Sequence, residues 1–230
     1  MRGARLMHSI LFVAVPVSGA LGFLLPFALF AACAGFPGML WGTALYVLAA
    51  GEKIWVMFLR MRNIEILKPR PDQRDWTTIT VGLSNILVMW GVIIEYYVRR
   101  TGFPNPGWVI GGAAVYAVAL VIRYRSLALL KLQWAVHVDK PIENRRLIRE
   151  GPYAWVRHPM YLAAIMEIGA IPLMLGCFVM TAVGLLVFIP AEWGRLRFEE
   201  KQMREVFGRP YEDYMAQVWA LFPLPFGKRD

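Results

Sequence analysis

The chain has little charge, few cysteines and few histidines, and each scarcity removes a class of function. Only 18% of its 230 residues are charged, and acidic residues number 16 against 25 basic ones. Its two cysteines, Cys33 and Cys177, both stand in apolar surroundings. They give no disulfide framework and no Cys-x-x-Cys spacing, so they read as buried, hydrophobe-like thiols. Three histidines (His8, His137 and His158) are too few and too scattered for a histidine-based metal site, and no metal is expected. No internal repeat or low-complexity stretch is present, which removes solenoid and disordered-linker readings.

What the chain has in abundance is apolar surface, with 58% hydrophobic residues. They fall into runs long enough to span a bilayer, near 9–34, 37–59, 76–98 and 107–122. Two shorter runs follow near 160–175 and 178–194, with Leu175-Gly176-Cys177 as the turn between them. The expected fold is all-α: a polytopic membrane protein of about four transmembrane helices plus a C-terminal helical hairpin. Residues 1–122 read as the transmembrane scaffold and acceptor cavity, and 123–230 as the catalytic region. Ala32-Cys33-Ala34 resembles a signal cleavage site, but the apolar run before it is too long for one, so the first run is expected to stay as a helix. Pro16 and Pro26 should kink it.

Positive charge sets the orientation. Arg2, Arg5, the 60–74 segment, the 123–157 segment and the tail from Arg195 carry nearly all the basic residues, whereas Arg99 and Arg100 stand on the opposite side. Both termini are therefore expected in the cytoplasm. The net charge of +9 follows from this bias and from attraction to anionic lipid, not from nucleic-acid binding. Gly38-x-x-x-Gly42 and Gly107-x-x-x-Gly111 predict close helix approach. Glu95 and Arg99, spaced i, i+4, read as a surface pair. Glu52 and Lys53 lie inside the second run, where ionisable residues are costly. Either Lys53 snorkels to the headgroups with Glu52 beside it, or one of the two lines a substrate cavity.

The polar stretch 123–158 is long for a connector, and long loops are more often functional. It ends in Gly151-Pro152-Tyr153-Ala154-Trp155-Val156-Arg157-His158-Pro159-Met160-Tyr161. Pro159 opens the next helix, placing His158 at the N-cap, where backbone N–H groups suit an anion. About forty residues on comes Arg195-Leu196-Arg197-Phe198-Glu199-Glu200, then Phe207-Gly208 with Tyr211 and Tyr214. Glu192, Arg195 and Glu199 share one helical face, and Glu200 with Arg204 reads as a solvated salt bridge. Phe222-Pro223-Leu224-Pro225-Phe226 can close over the site or lie on the membrane.

Across residues 130–223 these elements, in this order and spacing, resemble the isoprenylcysteine carboxyl methyltransferase and phospholipid methyltransferase superfamily of integral membrane enzymes. The resemblance implies S-adenosyl-L-methionine bound at the cytoplasmic face, with a lipophilic or lipidated substrate entering from the bilayer. By motif position Tyr153, His158, Pro159, Tyr161 and Glu199 would hold the cofactor, covered by the 131–137 loop with Gln133 and His137. Arg157, Arg195 and Glu200 would sit on the acceptor side as the catalytic group. Arg145 stands where the eukaryotic enzymes carry a histidine, which weakens transfer of their substrate. Trp219 stands where a proline usually follows the tail valine, a change in tail geometry.

Methyl transfer suits such a cluster. A carboxylate acceptor is ionised at neutral pH and needs an arginine fork to orient it but no base. An amine acceptor needs its proton removed, by Glu200 or water. The implied function is carboxyl O-methylation of a prenylcysteine-like or other lipid-like carboxylate. Alternatives are N-methylation of a phospholipid such as phosphatidylethanolamine, methylation of a small thiol, an NADPH-dependent sterol-type reductase, and a non-enzymatic membrane scaffold.

Overall fold

The computed structural model describes residues 39–67, 76–99, 104–133 and 146–222. The first apolar run, the 60–75 loop beyond Leu67, His137 and the segment from Pro223 onward lie outside the described residues. So do both termini.

Six helices make up the described chain: α1 (Met39–Leu67), α2 (Trp76–Arg99), α3 (Pro106–Leu130), α4 (Pro159–Met174), α5 (Phe178–Phe207) and α6 (Arg209–Gln217). Short 3₁₀ turns occupy Lys131–Gln133 and Gly151–Ala154. The one extended pairing among the described residues is an isolated parallel bridge between Val156 and Trp219. Thr80–Arg99, Pro106–Leu130 and Phe178–Phe207 are long and apolar enough to cross a bilayer, and Pro159–Met174 is a shorter apolar helix.

α3 starts where its sequence directs. The Asn105 side chain accepts from the Gly107 N–H at 2.8 Å, and Pro106 fills a position whose N–H has no helical partner. The helix then runs past the expected end at residue 122 to Leu130, so Arg123 lies within it. Gly112, not Gly111, is the close-approach glycine. A Cβ at Gly112 would lie 3.1 Å from the Ala170 carbonyl and 2.5 Å from Met174 Cγ, whereas nothing approaches Gly111. Sequence spacing marks a small-residue motif, but the rotation of the helix decides which member faces its neighbour.

The hairpin between α4 and α5 turns at Leu175-Gly176-Cys177. Pro172 sits near the end of α4, and its carbonyl accepts from the Cys177 N–H at 2.8 Å. Gly176 takes a positive φ of 70°, which glycine adopts without steric cost. Glu95 is more than half of a surface pair. Its carboxylate accepts from the N–H groups of Met180 at 2.7 Å and Val179 at 3.3 Å, capping α5 from the end of α2. Arg99 bonds Glu95 at 3.0 Å and the Gly176 carbonyl at 3.3 Å. This clamp ties the end of α2 to the tip of the hairpin.

Tyr46, Val88, Val92 and Tyr96 pack with Ile165, Ile168, Ile171, Phe188 and Leu196 in one core drawn from α1, α2, α4 and α5. Leu83, Leu87, Ile94, Val98, Ile110, Val121, Val179 and Leu186 face outward, an apolar surface suited to lipid. The core fixes α4 against α5, and therefore sets the distance between His158-Pro159 at one helix start and Glu199-Glu200 near the other helix end.

Candidate functional site

The site begins at the Gly151–Ala154 turn. Tyr153 is buried there, and its carbonyl accepts from the Tyr214 hydroxyl at 2.5 Å. Burial pushes the Tyr214 phenol above its usual range, so it remains a donor. Arg149 stacks over the Tyr214 ring at 5.4 Å and donates to the Pro210 carbonyl. These contacts bring α6 back onto the loop before α4.

The chain then pairs with its own tail. The Arg157 N–H donates to the Trp219 carbonyl at 2.7 Å, and the His158 N–H to the Ala220 carbonyl at 3.0 Å. Arg157 directs Nε and one terminal nitrogen to Glu200 Oε1 at 2.9 and 2.7 Å. Its other terminal nitrogen donates to the carbonyls of Met215 at 3.0 Å and Val218 at 2.5 Å. His158 Nε2 lies 3.3 Å from the same Glu200 oxygen. The Arg157 and Glu200 side chains are 1% and 2% exposed, so this is a closed knot and not an open fork. The Glu200 carboxylate goes to Arg157, and Arg204 meets only the Glu200 backbone carbonyl, at 3.4 Å.

Beside the knot is a more open layer. The His158 and Tyr161 rings stack at 5.4 Å and 7°. The Tyr161 hydroxyl donates to Glu199 Oε2. Arg195 stands one turn before Glu199, within electrostatic reach of Tyr161. Tyr161, Arg195 and Glu199 are half-buried. Pro159 opens α4 as expected, but the Tyr161 N–H is used, donating to the His158 carbonyl at 3.1 Å. Gln133 is half-buried and accepts from the Arg146 N–H at 2.7 Å, joining the two described ends of the 131–146 segment.

Of the residues singled out from sequence, the structure brings Tyr153, Arg157, His158, Pro159, Tyr161, Arg195, Glu199 and Glu200 to one end of the bundle. It separates them differently from the motif order, with Arg157 and Glu200 inside and Tyr161, Arg195 and Glu199 at the surface of the cluster. The tail strand at Trp219 and Ala220 was not legible as a partner, because a single bridge has no periodic signature.

A second polar cluster lies within the helices. Glu167, with no exposed surface, accepts from Arg123 Nε and a terminal nitrogen, each at 2.6 Å, and from Lys53. Glu52 lies 3.6 Å from Lys53 and 3.5 Å from Arg123. Lys53 does not snorkel to the headgroups; its side chain is 12% exposed and points into the bundle. Arg123 is likewise a span residue and not a loop cation.

The chain's relatives agree with this architecture. Residues 112–205 match the model of the isoprenylcysteine carboxyl methyltransferase family. That match takes in about two-fifths of the chain, from within α3 to near the end of α5. A solved structure of the eukaryotic intramembrane Ras methyltransferase, isoprenylcysteine carboxyl methyltransferase, superposes with a TM-score of 0.58 at 18% identity, covering 80% of this chain and 67% of that one. At that identity the likeness is one of fold. The uncharacterized protein YpbQ of Bacillus subtilis is 31% identical over 98 residues, 43% of this chain and 58% of its own length. Methanethiol S-methyltransferase of Mycobacterium tuberculosis is 28% identical over 116 residues, 50% of this chain and 46% of its own. Protein-S-isoprenylcysteine O-methyltransferase of Schizosaccharomyces pombe is 28% identical over 157 residues, 65% of this chain and 66% of its own. The chain thus spans about half the length of the first two relatives. Its apolar helices, together with these likenesses, support an integral membrane protein.

Proposed function

We propose that the protein is a membrane-embedded methyltransferase that uses S-adenosyl-L-methionine and acts on a lipophilic acceptor. The observation that carries this reading is the Tyr161–Glu199 pair, with Arg195 one turn away, half-exposed over the closed Arg157–His158–Glu200 knot. When bound there, S-adenosyl-L-methionine would supply an electrophilic methyl group on a sulfonium cation. A carboxylate and an aromatic face suit that cation, and Glu199 with the stacked Tyr161 and His158 rings offers both. Gln133 and His137, on the 131–137 segment, would cover the cofactor. Tyr153 would shape its pocket from below, and Pro159 sets the helix start against which it lies.

The residues' work is positioning and exclusion of water, because direct displacement needs alignment more than covalent help. Arg157 and Glu200 hold the tail carbonyls and the His158 ring in place, so the wall of the site is rigid. Arg195 orients the acceptor. A prenylcysteine-like carboxylate fits that role, being already ionised, and the fission-yeast relative's name supports it. A thiol acceptor is the second reading. Arg157 is committed to Glu200 and leaves no second arginine of the knot for a carboxylate, and the mycobacterial relative is named for a thiol. The positive-charge bias supports a cytoplasmic side for the site, both termini and the polar stretches that follow Leu67 and Leu130. Labelling of a cysteine introduced at Thr101 from the cytoplasmic side alone would overturn that orientation.

Calorimetry on the detergent-solubilised protein tests the cofactor. Micromolar binding of S-adenosyl-L-methionine is expected. Clear heat with NADPH and none with S-adenosyl-L-methionine would replace this reading with that of a reductase.

A further inference from the structure

The buried cluster of α1, α3 and α4 is not used by the chemistry above, and it is incompletely satisfied. Glu167 is saturated by three donated hydrogen bonds from Arg123 and Lys53. Glu52 is not. Its side chain is 9% exposed, it stands within 3.6 Å of two cations, and neither of its carboxylate oxygens receives a hydrogen bond. The Tyr116 hydroxyl, a buried atom within electrostatic reach of Glu52 and Arg123, also has no hydrogen-bond partner. Buried polar atoms in a protein interior are nearly always satisfied, and the exceptions call for an explanation. Ionisable residues within a span are costly and mark substrate or ion pathways.

The missing chemistry is specific. Two carboxylate oxygens need donors, and a phenol can donate to or accept from the same group. Lys53 and Arg123 balance the charges of Glu52 and Glu167, and Glu192, buried on α5 within electrostatic reach of both cations, adds a third carboxylate, so the cluster calls for hydrogen-bond donors and no further anion. A further carboxylate would face three existing ones. The surroundings are apolar, with Trp55 and Phe58 stacked and exposed on the outer side of α1. We infer that Glu52, supported by Lys53 and Arg123 and assisted by Tyr116, is a binding site within the spans for the N–H or O–H donating head of a lipophilic molecule. This site stands apart from the methyl-transfer reading. Its test requires no cofactor, so failure of either leaves the other intact.

The experiment uses the detergent-solubilised full chain and three probes with the same twelve-carbon tail: dodecanol, dodecylamine and laurate. Native mass spectrometry counts retained probe, and thermal unfolding without probe checks each variant's fold. Retention of the alcohol, the amine or both, at least tenfold above laurate, is expected, and the preferred probe identifies the head group. Glu52→Gln keeps the shape but replaces an acceptor oxygen with a donor, so it should lower retention of the preferred probe at least tenfold. Tyr116→Phe should lower it about threefold, and it carries the test alone if Glu52→Gln unfolds. Equal retention of all three probes, or unchanged retention in a folded Glu52→Gln and in Tyr116→Phe, overturns the inference.

Discussion

Arg157 and Glu200 face each other across the loop–helix junction, with two guanidinium nitrogens on one carboxylate oxygen at 2.9 and 2.7 Å. The rest of the guanidinium fork is spent on two backbone carbonyls of the tail, Met215 and Val218. One ion pair therefore joins α5, the segment before α4 and the chain beyond α6. This placement predicts more for architecture than for direct contact with an acceptor.

Arg157→Ala or Glu200→Ala should destabilise the protein by about 3–5 kcal/mol, because each leaves a buried charge without its partner. Thermal unfolding and protease cleavage within 209–222 measure it, and both should report a loosened tail. Arg157→Lys should fail similarly, since lysine lacks the planar fork that reaches carboxylate and carbonyls together. Wild-type stability and protection in all three variants would return the pair to the acceptor side.

Binding and turnover should separate across the outer layer. Tyr161→Phe and Glu199→Gln remove the hydroxyl–carboxylate pair, and each should weaken S-adenosyl-L-methionine about tenfold or more by calorimetry. Arg195→Ala should leave that affinity within about threefold while lowering kcat by about a hundredfold, roughly 3 kcal/mol of lost transition-state stabilisation. Arg195→Lys then distinguishes acceptors. A carboxylate held by the fork suffers strongly, whereas a thiol does not. Full turnover in Arg195→Ala would remove this residue from the reaction.

Within the spans, Glu167→Leu takes from Arg123 and Lys53 the carboxylate that accepts their hydrogen bonds, leaving them Glu52 and the electrostatic reach of Glu192. A loss of about 3–5 kcal/mol is expected, read as a lower Tm in detergent. Glu167→Gln should cost less, because an amide still accepts one of the hydrogen bonds. Equal Tm for Leu, Gln and wild type would mean that the cluster does not hold α1 to α3 and α4.

At the other end, Glu95→Ala removes the cap supplied to α5 by α2. The expected cost is about 0.5–2 kcal/mol, the range for losing a helix N-cap, with no effect on cofactor affinity. Arg99→Ala should cost less, because its side chain is 45% exposed and screened by water. A change in cofactor affinity in Glu95→Ala would show that the hairpin transmits its geometry across the full length of α5.

The sequence alone determined the apolar helices that begin near 76, 107 and 178, the hairpin turn at Leu175-Gly176-Cys177 and the start of α4 at Pro159, because run length, glycine and proline act locally. It also marked the residues that gather at the site, because the charged and aromatic motif stands out against an apolar chain. It did not reveal that Glu200 turns to Arg157 instead of Arg204, or that Gly112 instead of Gly111 meets its neighbour. Nor did it connect Glu167, alone in an apolar helix, with Arg123 at the end of another and Lys53 in a third. Those partners are separated by 44 and 114 positions. Only the rotation and depth at which helices pack decide which buried charges meet, since a charge in a low-dielectric interior must find whatever opposite charge the packing places beside it.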